Sequence, residues 1–382
     1  MKRDSVSRLL ASAALCAFVM VPAAAEAQSV RDKVIELFAT NAKAAGIKDI
    51  KQEEVTGDDA KFTLQGVTIT AGPKDQTATV EGITFIGAKP TDDGGISADE
   101  IDVEGFDVSD KEGGLSLGTL TIKNVVLPAP ANATKPGAFK FDTVDAGEIE
   151  FGDEKLTIPV ESIAISASDY VDGIPHKGKF ELKGMVVPIK DDDPKMADVK
   201  DLGYKEFAID AVFASSWDDK AGKLVFDKWN ISAKDVGSVT LSISLGGVTP
   251  EVVKQLRAAK DDPNAAMALA AGVSIESATL RIDNASLFER ALEATAKKQG
   301  VPKDQLVQQA GVMVPMLLSA IQNPDFEKKV GDAVAAFLAS PKSLTATVSP
   351  SQPVPVAQII GVAGAAPQTL PTVLGADVTA NK

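Results

Sequence analysis

One cysteine and one histidine are all the thiol and imidazole that this 382-residue sequence contains. Cys16 lies in an apolar N-terminal segment, preceded by Leu15 where a lipoprotein attachment site needs a small residue. Once that segment is removed, the chain has no disulfide, no cysteine-ligated metal and no thiol nucleophile. His176 cannot assemble an imidazole zinc site alone, so no metal and no cofactor are expected. Aromatic residues make up only 5% of the chain, yet 45% of it is hydrophobic, which excludes wholesale disorder. Basic residues are the minority sign, with 39 Lys+Arg against 53 Asp+Glu and a net charge of −14. Such a surface repels phosphate backbones, so no nucleic-acid partner is expected. It also disfavours adhesion to anionic headgroups, but not contact with a lipid's apolar part.

Long hydrophobic runs are missing too. Lys2, Arg3 and Arg8 precede "LLASAALCAFVMV", which is too short for a spanning helix. "AEAQ" follows, with Ala25 and Ala27 at the small-residue positions of a cleavage site. Residues 1–27 therefore read as a secretory signal peptide, and the mature chain is expected in a periplasm. Between Ser343 and Ala376 there is no charged residue, but Pro350, Pro353, Pro355, Pro367 and Pro371 forbid a membrane-spanning helix there. No transmembrane segment is expected in the mature chain.

What is present is a strand grammar. A helix is expected over 28–46, with Val30, Val34, Leu37 and Phe38 on one face and Gly46 at its end. Residues 47–249 then run in short alternating stretches rich in Thr, Val, Ile and Phe, separated by glycine and proline turns. Trp217 and Trp229 fall at expected strand ends. Within this region "FTLQGVTI", "ATVEGITF", "IDVEGFDV", "LTIKNVVL" and "FELKGMVV" share a break at Gly66, Gly82, Gly105, Asn124 and Gly184, and "LRIDNASL" repeats it at Asn284. Apolar side chains alternate up to the break and then slip by one. Only Gly and Asn stand there, the residues that best tolerate a left-handed backbone. A β-bulge at each break restores the apolar residues to one face and bends the strand.

Residues 250–342 read as a helical insertion, with Thr249 as cap, Pro250 in the first turn and one strand at 273–283. Three helices are expected after it, over about 286–299, 302–322 and 324–340. Residues 343–382 read as a strand followed by an uncharged, proline-rich extended strap. The expected fold is mainly β with a helical insertion (α+β). Its antiparallel sheet would be curled by Gly/Asn bulges into a gutter or open roll, capped by helices.

No catalytic constellation emerges, and no enzyme is expected. "GLSLG" over 114–118 matches the nucleophile-elbow spelling, but the residues after Ser116 read as strand where the elbow needs a helix. Asp92–Asp93 and Asp191–Asp193 stand in turns without the spacing of a calcium loop. "NAT" at Asn132 matches a glycosylation acceptor, a pattern too short to carry weight. No glycine-rich nucleotide loop precedes a helix.

Repeated strands with a Gly or Asn break, behind a signal peptide, resemble the AsmA-like and YdgA-like β-rich envelope proteins of Gram-negative bacteria. The resemblance lies mainly in residues 59–190 and 275–287. It implies a curled sheet with an apolar groove and a role in lipid movement or envelope integrity. AsmA-like proteins usually keep a membrane anchor, whereas this apolar segment ends in a cleavage site. The function expected is a soluble periplasmic carrier for a lipid or other apolar molecule, held on a groove face that includes Leu64, Phe85, Val103, Phe106 and Ile122. The alternative is a non-enzymatic envelope scaffold or interaction protein with a filled core and no small ligand. Cleavage is expected after Ala27, giving a mature chain that begins at Gln28, as intact mass of the exported protein will check.

Overall fold

The computed structural model describes residues 29–72, 76–110, 113–133, 135, 137–153, 156–190, 196–259 and 262–382. The expected signal peptide and the Asp191–Asp193 pair lie outside the described residues. The chain is mainly β and falls into two compact units, the first ending at Val186 and the second running from Val187 to Lys382. The division falls inside the β region expected over 47–249.

The first unit opens with helix α1 (Val30–Ala44). The Ser29 side chain accepts the Asp32 N–H at 3.1 Å, and Gly46 ends the turn at φ 96°. Strands β1 (Ile47–Lys51), β2 (Glu54–Gly57), β3 (Lys61–Ala71), β4 (Gln76–Ile86) and β5 (Lys89–Pro90) follow. After them come β6 (Ile96–Asp110), β7 (Gly113–Leu127), β8 (Thr143–Asp153), β9 (Leu156–Val171) and β10 (Ile174–Pro188). All ladders are antiparallel: β1 and β2 on β3, β3 on β4, β4 and β5 on β6, then β6 to β10 in sequence order. Helix α1 lays Val34, Ile35, Phe38 and Ala42 into the core. Phe38 meets Phe85 edge-on at 5.1 Å between centroids, and Phe62 stacks on Phe85 at 5.0 Å. Val30 stays exposed, one turn too early to reach this core.

The break residues behave differently from single bulges. Leu64 and Val67 are both buried, as are Val80 and Ile83, and Val103 and Phe106, so the alternation does slip. The register does not. Gln65 pairs with Gly82 and Val67 with Val80, leaving Gly66 opposite Glu81 with no offset on either side. The same holds for Gly105 opposite Gly118, Gly118 opposite Glu148, and Glu148 opposite Glu161. Gly66, Glu81, Gly105, Gly118, Glu148, Glu161 and Gly184 form one line across the strands, each strand's extra residue matched by its neighbour's. Asn124 lies off that line in β7, opposite Asp99 of β6 and donating to Asp142. A one-strand bulge would displace the partner's register; a matched row leaves it intact.

Gly66, Gly105, Asn124 and Gly184 have left-handed φ values of 59°, 61°, 49° and 64°. Gly82 does not; in β4 the row passes through Glu81. Asn284 is a correction of another kind. It ends its strand in register with Gly237, and its side-chain carbonyl accepts the Phe288 N–H at 3.0 Å, so it caps a helix instead of bulging a strand.

In the second unit a short helix, α2 (Ala197–Lys200), precedes β11 (Glu206–Asp218), β12 (Lys223–Ala233) and β13 (Gly237–Gly246). Helices α3 (Pro250–Ala258) and α4 (Pro263–Ala270) lead to β14 (Ser274–Asn284). Helices α5 (Leu287–Gln299), α6 (Lys303–Leu318) and α7 (Pro324–Ala339) lead to β15 (Ser343–Val348). β13 pairs with β14 and β14 with β15, so both helical stretches are insertions between hydrogen-bonded neighbours. Thr249 accepts the Val252 N–H and Asn323 the Phe326 N–H, while Gly300 closes α5 at φ 67°.

The tail is not an extended strap. It forms β16 (Val354–Pro355), α8 (Val356–Ala365), a 3-10 turn at Pro367–Thr369, α9 (Leu370–Val373) and β17 (Ala376–Ala380), which pairs with β15. Pro355, Pro367 and Pro371 sit at helix starts, where a missing N–H removes no helical bond, and "VAQIIGVAGA" between the first two is free to wind. Trp229 also lies in the middle of β12, not at a strand end.

A Cβ on Gly105 would collide with the Glu81 side chain and sit on a left-handed backbone. On Gly82 the nearest neighbour would be Thr63 Cγ2 at an ordinary 3.6 Å. Gly105→Ala is therefore expected to cost about 2–3 kcal/mol of stability and Gly82→Ala less than about 1. Urea unfolding of the two variants checks this, since equal losses would contradict the row.

Candidate functional site

The five residues expected to line a groove are core. Leu64, Phe85, Val103, Phe106 and Ile122 are each at most 3% exposed, in one cluster beneath α1. Burial of a Leu or Phe there contributes roughly 1.5–3 kcal/mol to folding. In this part of the first unit the sheet face is filled by the chain's own side chains. Farther along the same unit Val144, Ile163, Leu182 and Met185 are only partly buried.

An apolar face with solvent on it occurs in the second unit. The ladders set Phe213, Trp229, Leu241, Leu280, Ala346 and Val378 directly opposite one another from β11 to β17. The neighbouring row is Ala211, Ile231, Val239, Ile282, Leu344 and Ala380. On the other side of the first row stand Phe226, Ile243, Ala278 and Val348. Alternate positions, which point the other way, are polar from β12 to β17, with Asn230, Thr240, Arg281, Thr345 and Thr379 in one line that Val212 begins on β11. Trp229 is 38% exposed, Leu280 41%, Val239 46% and Ile231 50%. The aromatic members touch, Phe226 to Trp229 at 4.8 Å and Phe213 to Trp229 at 5.7 Å, both edge-on. Such a face binds apolar matter by removing its area from water, with no charged group in the rows to select a headgroup.

These residues were missed from sequence because "KLVFDKWNISA" and "VTLSISL" alternate like any half-buried strand. Alternation gives a face but not its cover. True one-residue bulges do occur here, at acidic positions. Between Phe226 and Trp229, β12 carries two residues against one on β13, and between Ile275 and Ser277, Glu276 is unmatched on β14. The Glu276 carboxylate accepts from the Lys223 ammonium at 2.8 Å and from the Ser244 hydroxyl at 2.8 Å, which holds its pKa below the usual value.

The remaining sequence candidates do not converge. Ser116 of "GLSLG" lies mid-strand in β7, without the strand-to-helix turn of an elbow. Asp93 accepts from Thr91 at 2.6 Å and from Asn132 at 2.7 Å, so it ties a turn, and these bonds lower its pKa. His176 lies in β10. No cluster of metal-ligating side chains occurs among the described residues.

These features define a mainly-β protein whose second unit is an antiparallel sheet with one apolar, half-exposed face and helical insertions. A family model described as "Uncharacterized protein" matches residues 230–381, from within β12 past the end of β17. No curated protein matches the chain.

Glu276→Gln tests the bulge. A depressed carboxyl pKa adds stability above the unfolded value and loses it as pH falls through the folded one. The variant is therefore expected to be less stable at neutral pH, by up to about 1 kcal/mol for so accessible a pair. It should converge with the parent in acid, as denaturant melts at both pH values will check.

Proposed function

We propose that this chain carries a lipid or another apolar molecule on the apolar face of the β11–β17 sheet, and does so in the periplasm in support of the envelope. The observation that carries the reading is the pair of adjacent rows, Phe213 to Val378 and Ala211 to Ala380, whose side chains keep 38–50% exposure at Trp229 and Leu280 of the first and Ile231 and Val239 of the second. Aliphatic side chains on a strand are rarely left this open over adjacent strands, because covering them is worth roughly 25 cal/mol per Å². An acyl chain laid across the rows recovers that free energy, less the cost of association. The strand grammar that resembles AsmA-like proteins, and the signal-like start of the sequence, point the same way. An envelope scaffold without a small ligand is the second reading, and the filled core of the first unit favours it.

Native mass spectrometry of protein purified from a periplasm is expected to show a co-purifying lipid. An environment-sensitive fatty-acid probe is expected to bind, and Ile231→Asp or Leu280→Asp to weaken it at least tenfold with an unchanged circular dichroism spectrum. Phe106→Asp, by contrast, is expected to unfold the first unit, since it places a charge in a sealed core. If no lipid co-purifies and the probe does not bind, the carrier reading falls and the scaffold remains.

A further inference from the structure

Three helical segments of the second unit are apolar where they face water. Helix α8 reads "VAQIIGVAGA" and α4 reads "PNAAMALA", and neither has a buried residue. A helix without a polar face normally lies inside a core or in lipid. On α6, Val312, Met313, Met316 and Leu317 are 68%, 56%, 67% and 75% exposed, and their spacing puts them on one side of the helix. Met267 of α4 and Ile360 of α8 are exposed as well.

Hydrogen bonds tie the loops that flank these segments. The Asn323 side chain, at the cap of α7 beyond the 3-10 turn Ser319–Ile321 that follows α6, donates to the Gln368 carbonyl in the turn after α8 at 2.7 Å. At the start of α8, Val356 N–H donates to Val273 and Ala357 N–H to Ala271, the residue that ends α4. Charge is absent from the whole group. No charged residue stands between Asp262 and Glu276, between Asp304 and Asp325, or between Lys342 and Asp377, in a chain of net charge −14. These stretches also contain no arginine and no aromatic residue.

We propose that α4, α8 and the C-terminal half of α6 form one docking surface for a neutral lipid leaflet, with Val312, Met313, Met316 and Leu317 entering its acyl region. The partner that matches an apolar surface with neither sign of charge is the uncharged interior of a bilayer, not an anionic headgroup layer. No described helix is long and apolar enough to cross a membrane, so these helices lie on the leaflet instead of spanning it. None of its residues belongs to the sheet rows proposed to carry lipid, and the inference does not depend on that reading.

Flotation of the mature protein with vesicles of pure phosphatidylcholine tests this. Binding is expected with an association constant on the order of 10⁴ M⁻¹, the range of a single acyl chain. It should be insensitive to salt and should not tighten when phosphatidylglycerol is added. Met316→Glu combined with Leu317→Glu is expected to lower it at least tenfold, with fatty-acid probe binding and the circular dichroism spectrum unchanged. A separate Leu317→Trp variant is expected to shift its emission to the blue when those vesicles are added. The proposal is overturned if the parent does not float, if flotation survives the double substitution, or if vesicles leave the emission of the Leu317→Trp variant unmoved. It is equally overturned if sedimentation shows a dimer that the double substitution dissociates while vesicles leave the protein in solution, which would assign the surface to a second copy of the chain.

Discussion

A strand that changes step must be matched by its neighbour, or the ladder beyond the step is lost. The first unit is organised around this constraint. From Gly66 to Gly184 the extra residues stand in one line, so each strand's slip is answered by the next and the pairing continues in register. The line also explains its own composition. Where one strand places a left-handed Gly, its neighbour lays a Glu side chain across the space a Cβ would fill, as Glu53 does over Gly66 and Glu81 over Gly105. Where no glycine is available, Glu148 itself takes φ 54° over Gly118.

Matching the slip keeps the first unit's apolar residues on one face, and each unit treats its own apolar face differently. In the first, α1 closes over it, and Phe38, Phe62 and Phe85 form a sealed aromatic cluster. In the second, the comparable rows retain solvent on Trp229, Ile231, Val239 and Leu280. The helical insertions there have apolar surface of their own on α4, α6 and α8.

Much of the fold was legible because its signals are local. Thr249, Pro250, Gly300 and Asn323 mark helix ends by backbone chemistry that needs no distant partner. Asn284 misled for the same reason: an Asn after an alternating run is written alike for a bulge and for a cap, and only the helix beginning at Leu287 decides between them. The tail misled because prolines that forbid a membrane-spanning helix suggest an extended strap, whereas Pro355 and Pro367 stand at helix starts and leave Val356–Ala365 intact.

The sequence by itself determined most of the strands, the side of each that is apolar, the fact that the alternation slips, and the exclusion of an internal disulfide and of imidazole-cluster chemistry. These follow from alternation, backbone preference and composition, all properties of neighbouring residues. Only the tertiary structure decided that the slips are matched across strands, that Leu64, Phe85, Val103, Phe106 and Ile122 are sealed while Trp229 and Ile231 are open, and that α8 is uncovered. Register and exposure depend on what residues far along the chain bring to a surface. An apolar strand face is spelled the same way whether a helix covers it or water does.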